Sequence, residues 1–256
     1  MSELQAQTWN SLFNAMAELE NEQAAQKRQG LNDFNLLGSV LSVNDEVRLH
    51  TRFIYALLNP EGRHYQGTRF LELFLQTIGR ANWLDLSSVI VRKEHCPNGR
   101  GEQIDIYITD GTRQILIENK LNAQDQPRQV ARYLEAVDAS DPAQADDTLF
   151  IYLTKNRQQP SPYGLGGLTV CHQTSRLLNQ QGLPMAQYQN LSYRRATSVN
   201  SIHDWLDACS YALADGPANI AWALKDYRAV VGEPAEFGKN RTLTVQASRP
   251  RPTVAC

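Results

Sequence analysis

Residues 103–120 read QIDIYITDGTRQILIENK, and this stretch decides the fold. From Gln103 to Thr109 apolar and polar side chains alternate with a period of two, which is typical of a β-strand with one buried face. Asp110-Gly111 is a dipeptide that favours a tight hairpin turn. The residues from Gln114 to Glu118 resume an apolar pattern. The stretch is therefore predicted to form an antiparallel β-hairpin.

The isoleucines of this stretch predict the register of the hairpin. A two-residue loop would pair Ile104 with Ile117 and Ile106 with Ile115. That register gathers the isoleucines on one face, which would pack against the core, and leaves the polar residues on the other face.

The polar face of the hairpin is predicted to hold a metal-binding catalytic site. In this register Asp105 faces Leu116, and Glu118 is its diagonal neighbour at about 7–8 Å between Cα atoms. Two close carboxylates repel unless a cation or a proton intervenes, and oxygen ligands alone favour Mg²⁺ or Mn²⁺. Such a cation acidifies a bound water, and Lys120 on the same face can orient that water. The alternative is a surface hairpin with a solvated Glu–Lys pair.

The rest of the chain alternates between helical and extended patterns. Helices are predicted where apolar residues recur at helical spacing, over 9–19, 44–58 with Asn44 as N-cap, 70–78, 125–137, 202–213 and 218–231. Strands are predicted over 88–93, 103–109, 114–118, 148–153, 168–171 and 191–193. The run 148–153 is apolar throughout, as in a strand buried on both faces. Together these patterns indicate an α/β fold.

Composition limits the class of protein. The chain has 256 residues, with 25 basic and 27 acidic side chains and a net charge of −2. This balance excludes bulk attraction to nucleic acid but leaves room for a local basic groove. No apolar run approaches the ~20 residues of a membrane span. Because the first residues lack the pattern of a secretory signal, we expect a cytoplasmic protein with free thiols.

A chain of this length buries enough surface to fold without disulfides or structural metals. We expect a single domain over residues 1–237, with its core at about 44–154, followed by a basic and disordered tail over 238–256. One alternative concerns His95-Cys96 and Cys171-His172, which could together bind zinc. The simpler interpretation is that both pairs lie at strand ends.

Two motifs of the chain resemble those of a known family. Ile104-Asp105 followed by Ile117-Glu118-Asn119-Lys120 resembles the D…ExK core of the PD-(D/E)xK nuclease superfamily. The segment from Gln129 to Tyr133 resembles the QxxxY motif of its exonuclease-type branch. The resemblance is specific over about residues 45–154, weaker through 192–193, 205–206 and Tyr227, and absent in the tail. It departs from the pattern at Ile104, where the superfamily usually has proline. The upstream residues resemble a group of uncharacterised prokaryotic members, through Glu46, His50, 57–60, His64, Gly67 and 70–71.

The resemblance implies a restriction-endonuclease-like core, a central mixed β-sheet flanked by helices, with helical additions at both ends. It also implies roles for individual residues. The metal would be bound by Asp105, Glu118 and the backbone carbonyl of Asn119, and Glu46 would reach it directly or through water. Lys120 would position the attacking water. The site would be lined by Gln129 and Tyr133. Simpler roles remain open: Glu46 could favour its helix N-terminus, Tyr133 could be core, Gln129 could be an exposed helix residue, and His50 and His64 could hold loops.

The resemblance implies a nuclease that depends on Mg²⁺ (or Mn²⁺) and acts on DNA in prokaryotic defence or repair. RNA is an open alternative as the substrate. The expected assembly includes a possible homodimer. The second hypothesis is a binding module on the same fold with weak or no catalysis. The complete motif favours the nuclease, whereas the near-neutral charge favours the binding module. A basic rim could surround the site, formed by Arg92, Lys93, Arg100, Arg128, Arg132, Lys155 and Arg157.

Overall fold

The protein is described by a computed structural model that covers residues 3–28, 35–97, 101–137, 142–195, 201–213 and 216–232. Within these ranges the strands form one seven-stranded sheet in the order β1-β2-β3-β4-β7-β6-β5. The strands are β1 (Ile90–His95), β2 (Ile104–Thr109), β3 (Gln114–Lys120), β4 (Thr148–Thr154), β5 (Thr169–Cys171), β6 (Arg176–Leu178) and β7 (Pro184–Ser192). The pairs β3–β4 and β4–β7 are parallel and the other pairs antiparallel.

Helices flank this sheet. They are α1 (Glu3–Arg28), α2 (Leu36–Val40), a π-helical segment (Glu46–Thr51) that continues as α3 (Arg52–Leu58), α4 (Arg69–Thr77), α5 (Gln129–Ala136), a short 3₁₀ turn (Pro142–Gln144), α6 (Pro162–Leu165), α7 (Ile202–Ala212) and α8 (Ala218–Gly232). A mixed sheet between helices confirms the predicted α/β, restriction-endonuclease-like fold. No helix among the described residues is long and apolar enough to cross a membrane.

The register of the β2–β3 hairpin differs by two residues from the predicted one. Ile106 pairs with Ile117, and Thr109 with Gln114, so the loop contains the four residues 110–113. The Asp110 side chain accepts hydrogen bonds from the backbone N–H groups of Thr112, at 2.8 Å, and Arg113, at 2.7 Å. This Asx-type turn competes with the two-residue hairpin turn. A shift of two residues preserves the face of every side chain.

Each face of the sheet has its own apolar cluster in the described part of the chain. The larger cluster packs α3, α4, α7 and α8 against the face that carries Ile106, Ile108, Ile115 and Ile117. The smaller cluster packs α5 against the opposite face. Ile104 belongs to this second cluster, so the prediction that all isoleucines share one face is wrong at that residue.

Several element boundaries also differ from the predictions. The N-cap of the π-helical segment is Asp45, not Asn44, because the Asp45 side chain accepts the Arg48 N–H at 2.7 Å. Helix α5 begins at Gln129 rather than at 125, since Pro127 disfavours a helical conformation before it and Arg128 has a left-handed backbone with φ of 52°. Strand β6 was not predicted, and β7 begins at Pro184, well before the predicted 191.

The two ends of the chain bear on the predicted domain limits. The apolar stripe predicted near the N-terminus lies on α1, where Trp9, Phe13 and Met16 are 54%, 61% and 51% exposed. The predicted tail, residues 238–256, lies outside the described residues, so the limits 1–237 remain a prediction.

Candidate active site

The two predicted carboxylates meet where β2 begins and β3 ends. The pairing of β2 with β3 ends at Ile106 and Ile117, so Asp105 lies just before this pair on β2 and Glu118 just after it on β3. Asp105 Oδ2 accepts the backbone N–H of Asn119, the neighbour of Glu118, and the charge of Asp105 raises the pKa of Glu118. The two carboxylates therefore lie close together.

The two oxygens of Glu118 have different surroundings. The side chain is buried, with a relative exposure of 3%. Its Oε1 accepts a hydrogen bond from Gln129 Nε2 at 2.7 Å and lies 3.0 Å from Lys120 Nζ. Its Oε2 is buried without a hydrogen-bond partner among the described residues. A buried oxygen with no partner is uncommon, and it indicates a group that the protein alone does not supply.

Burial makes the negative charge of this pair costly. It raises the pKa of Glu118 to about 8, with a further increase from the charge of Asp105 and an opposing effect from Lys120. Burial also raises the pKa of Asp105 to about 6, opposed by the Asn119 backbone N–H, which donates to Asp105 Oδ2 at 2.8 Å. A cation beside the pair would favour the charged forms again.

Lys120 lies at the end of β3, next to Glu118 in space. Its side chain is almost buried, and Nζ donates to the carbonyl of Gln124 at 3.4 Å in addition to the Glu118 contact. The ammonium group is therefore held between a carboxylate and the segment that follows β3. The alternative of a solvated Glu–Lys pair on a surface hairpin does not describe this environment.

Helix α5 supports Glu118 through a chain of hydrogen bonds. Gln129 Nε2 also donates to Tyr133 Oη at 3.0 Å, and Tyr133 Oη donates to the backbone carbonyl of Gln103 at 2.8 Å. Gln129 is 3% exposed and Tyr133 5%. Gln129 is thus not an exposed helix residue, and Tyr133 belongs to both the core and this polar chain. The chain fixes which Glu118 oxygen stays without a partner.

Glu46 lies on the other side of the β3 end. Its Oε1 accepts three backbone N–H groups, from Leu121 at 2.7 Å, Asn122 at 2.6 Å and Ala123 at 2.8 Å. Its negative charge raises the pKa of Asp105, so it lies near the pair. The structure therefore gives Glu46 a role that the sequence did not predict, which is to hold the turn after Lys120.

A buried network behind the site was missed by sequence reasoning. The Asn119 side chain donates to Thr51 Oγ1 at 3.2 Å and to the Glu46 carbonyl at 3.3 Å, and it accepts from Tyr193 Oη at 2.8 Å. These contacts bind the middle of the ExK motif to the π-helical segment and to the end of β7. Asn119 stands between Glu118 and Lys120 in the sequence, and nothing in this polar run indicates its distant partners.

His50 and His64 stabilise loops through hydrogen bonds, as the simpler interpretation expected. His50 Nδ1 is 2.9 Å from Tyr227 Oη, and His50 Nε2 is 2.9 Å from the Val43 carbonyl. His64 Nε2 is 2.9 Å from the Asn59 carbonyl. Burial lowers the pKa of both histidines.

Metal-binding clusters of the zinc type are absent from the part of the chain that the structure describes, where no three His, Cys, Asp or Glu side chains converge. His95 instead stacks on Tyr107 with ring centroids 4.8 Å apart, and Cys171 Sγ contacts Gln173. The zinc alternative at His95, Cys96, Cys171 and His172 has no support in the described residues. The same result limits a cation at the Asp105–Glu118 pair to two carboxylate ligands from the described chain.

Three of the seven cations of the predicted basic rim have an acidic partner among the described residues. Arg128 pairs with Glu135 at 2.7 Å, and Arg132 with Glu102 at 2.9 Å. Lys93 pairs with its neighbour Glu94 at 3.4 Å. Arg100 lies outside the described residues.

Comparison with known proteins agrees with this geometry. The family model of the PD-(D/E)XK nuclease superfamily matches residues 32–228, which is most of the chain. Searches of curated proteins and of solved structures found no match. The matched region contains the mixed sheet, the Asp105–Glu118 pair, Lys120 and the helix that supports them. The chain therefore belongs to the PD-(D/E)XK nuclease superfamily, whose members usually hydrolyse phosphodiester bonds with the help of divalent metals.

Proposed function

We propose that this protein is a nuclease that hydrolyses DNA phosphodiester bonds and depends on Mg²⁺ or Mn²⁺. The observation that supports this function best is the buried Glu118 Oε2, which finds no hydrogen-bond partner among the described residues, beside Asp105 and Lys120. Most buried polar side-chain atoms have a hydrogen-bond partner, so this oxygen on a side chain with 3% exposure favours a ligand at the site.

The available donors fit a hard divalent cation. Asp105, Glu118 Oε2 and the Asn119 backbone carbonyl would hold it, and all three are oxygen donors. Mg²⁺ commonly takes one or two carboxylates and keeps several waters or substrate oxygens, which agrees with the two converging carboxylates of the described chain. When bound, the cation would acidify a water and stabilise negative charge on the phosphoryl group.

The other residues of the site would then orient these groups. Gln129 and Lys120 both occupy Glu118 Oε1, which leaves Oε2 directed to the cation. The Asn119 N–H fixes Asp105 in the same way through Oδ2. The Lys120 ammonium would orient the attacking water or neutralise charge that develops on the phosphoryl oxygens. Glu46, with Oε1 already committed to three N–H groups, would reach the cation only through its second oxygen or through water.

The test is a cleavage assay with purified protein on supercoiled, linear and single-stranded DNA, in Mg²⁺, Mn²⁺ or EDTA. We expect cleavage with either metal and none with EDTA. Asp105→Asn and Glu118→Gln should abolish cleavage while the protein stays folded, because each removes a charged ligand but keeps its shape. Glu72→Gln changes an exposed carboxylate on α4 and should cleave like wild type. Normal cleavage by either site variant would contradict the assignment.

The second candidate is a nucleic-acid- or protein-binding module on the same fold with weak or no catalysis. Its support is that Arg128 and Arg132 have acidic partners, which weakens the attraction of this surface for phosphates. The same assay separates the two functions, since the module would leave DNA intact in Mg²⁺ and Mn²⁺.

The proposal includes a biological setting, which is a cytoplasmic enzyme in prokaryotic defence or DNA repair. The free thiols of Cys96, Cys171 and Cys209 agree with a reducing compartment. Deletion of the gene followed by phage challenge and by DNA damage would distinguish defence from repair.

A further inference from the structure

We propose that Tyr193 is a positioning residue of the metal site and that it acts through Asn119. This inference rests on the proposed function, and it assigns to that site a residue that lies 74 positions along the chain from the one it holds. It is argued from the Asn119 peptide, the hydrogen bonds of the Asn119 side chain, and the surroundings of the Tyr193 hydroxyl.

The Asn119 peptide links two of the proposed ligands of the cation. Its N–H donates to Asp105 Oδ2 at 2.8 Å, and its carbonyl is itself a proposed ligand. In antiparallel strands the N–H and the carbonyl of one residue point to the same neighbouring strand, so the Asn119 carbonyl also points toward β2. The observed pairing of β2 with β3 ends before this peptide, at Ile106 and Ile117. A displacement of Asn119 would therefore move the Asp105 carboxylate and the carbonyl together.

The Asn119 side chain holds this peptide in place from the other side. Its Nδ2 donates to Thr51 Oγ1 at 3.2 Å and to the Glu46 carbonyl at 3.3 Å, and its Oδ1 accepts from Tyr193 Oη at 2.8 Å. Because a backbone carbonyl only accepts hydrogen bonds, Nδ2 must face Glu46 and Oδ1 must face Tyr193. Tyr193 is the partner of Oδ1 among the described residues, and its bond is the shortest of the three.

The Tyr193 hydroxyl has a fixed position. The backbone N–H of this residue donates to the Thr154 carbonyl at 3.0 Å, and its carbonyl accepts the His203 N–H at 3.2 Å. The ring packs edge-on against His50 with centroids 5.0 Å apart, and His50 Nδ1 lies 2.9 Å from Tyr227 Oη. The side chain of Tyr193 is 2% exposed. A hydroxyl held in this way can keep the Asn119 amide in one orientation.

A positioning role and a purely structural role of this hydroxyl predict different results. Groups that orient the ligands of a metal typically contribute 10–100-fold to metal affinity or activity. A hydrogen bond that only stabilises the fold changes the melting temperature and leaves the metal affinity of the folded protein unchanged. Metal affinity is therefore the property that separates the two roles.

Calorimetry with Mg²⁺ on the full chain tests the inference, at a pH well above 8, where Glu118 is charged. Tyr193→Phe removes the hydroxyl and keeps the ring. We expect this variant to fold and to bind Mg²⁺ at least about tenfold more weakly than wild type. Asn119→Ala tests the route, because two residues that act through one contact have non-additive effects. The double variant should bind Mg²⁺ no more weakly than Asn119→Ala alone.

Tyr188→Phe is the matched control. Tyr188 lies on the same strand, is 5% exposed, and donates from Oη to Gln159 Oε1 at 2.7 Å. It packs in the apolar cluster on the opposite face of the sheet from Tyr193. This variant loses the same group from the same strand, so its melting temperature should fall about as much while its Mg²⁺ affinity stays at the wild-type value.

Three results would each overturn the inference: wild-type Mg²⁺ affinity in folded Tyr193→Phe, an equal loss of affinity in Tyr188→Phe, or additive effects in the double variant. If the wild type cleaves DNA and Tyr193→Phe binds Mg²⁺ normally, the nuclease function stands and only the positioning role fails. If the wild type binds Mg²⁺ without cleaving DNA and Tyr193→Phe loses affinity, the positioning role stands and the nuclease function fails. If the wild type binds neither Mg²⁺ nor Mn²⁺, both proposals fail.

Discussion

Glu118 shows how one carboxylate can be fixed by the chain and still offer a ligand atom. Gln129 and Lys120 both bind Oε1, so the orientation of the carboxylate is set before any cation arrives. Gln129 is held in turn by Tyr133. The ExK and QxxxY motifs therefore form a single unit, in which the helix motif sets the geometry of the strand motif.

Lys120→Ala separates metal binding from catalysis. An ammonium group cannot coordinate a cation and repels it, but Lys120 also lowers the pKa of Glu118. At a pH well above 8, where Glu118 is charged, calorimetry should therefore show Mg²⁺ affinity equal to or tighter than wild type. The cleavage rate should fall by about 10²-fold or more, as when one electrostatic contact to a transition state is lost. Lys225→Ala, an exposed lysine on α8, is the control and should affect neither property. Loss of metal binding with normal cleavage at saturating metal would make Lys120 structural.

His50 gives a pH dependence of stability with a definite sign. Burial lowers its pKa from 6.5, and the nearby charges of Glu46 and Asp45 oppose the shift while Lys155 adds to it. The unfolded chain thus binds a proton more readily than the folded one, and stability falls as the pH drops below about 6.5. Melting temperatures at several pH values should decline less steeply in His50→Gln, even though the variant is less stable at neutral pH. Parallel pH profiles for the two proteins would contradict this.

At the scale of elements, the segment between β3 and α5 is held from two sides. Glu46 binds its first N–H groups, and α6 packs on its later part through Asp125, whose carboxylate accepts from Tyr152 Oη and from the Ser161 N–H, each at 2.6 Å. This segment separates Lys120 from Gln129. Its position therefore controls the distance between the two residues that bind Glu118 Oε1.

Gly164→Ala should disturb this element. The new Cβ would lie 2.7 Å from Asp125 Cβ and Cγ, closer than carbon atoms approach, so α6 or the segment must shift. We expect a loss of stability of about 1–3 kcal/mol, typical of overpacking, measured by urea unfolding, and reduced cleavage under conditions where the protein is folded. Gly38→Ala is the control, since its Cβ would come no closer than 3.4 Å to its nearest neighbour, the side-chain oxygen of Asn35, which is the N-cap of helix α2. Equal stability of the two variants would show that the contact relaxes without cost.

The periodic patterns of apolar residues in the sequence predicted much of the fold. The alternation of 103–109 predicted that Ile106 and Ile108 share a face, and this survived a wrong register because the error was two residues, not one. The alternation failed at Ile104, which packs in the cluster on the opposite face. The turn itself was mispredicted, since the Asp110 side chain binds N–H groups across a wider loop. Strand β6 and the start of β7 were missed because short strands with polar residues and Pro184 lack a clear period.

At the scale of the molecule, sequence reasoning failed where contacts join distant parts of the chain. The motif resemblance identified Asp105, Glu118 and Lys120, which lie close together in sequence. It did not identify Thr51 and Tyr193 as the residues that anchor Asn119, because nothing local distinguishes a tyrosine that ends a strand from any other core tyrosine. Long-range partners of a buried amide follow from the folded topology alone.

The anchoring of Asn119 has a consequence for synthesis of the protein. The ExK motif leaves the ribosome long before Tyr193, which holds Asn119, and before Tyr227, which holds His50. Contacts this distant in sequence are slow to form, so a growing chain exposes the proposed metal-binding residues before the contacts that position them exist. We expect ribosome-bound chains that end before α8 to be inert toward nucleic acid, including the messenger RNA beside them. On the proposed function, the nuclease would thus become competent only after α8, the last helix of the described residues, has docked.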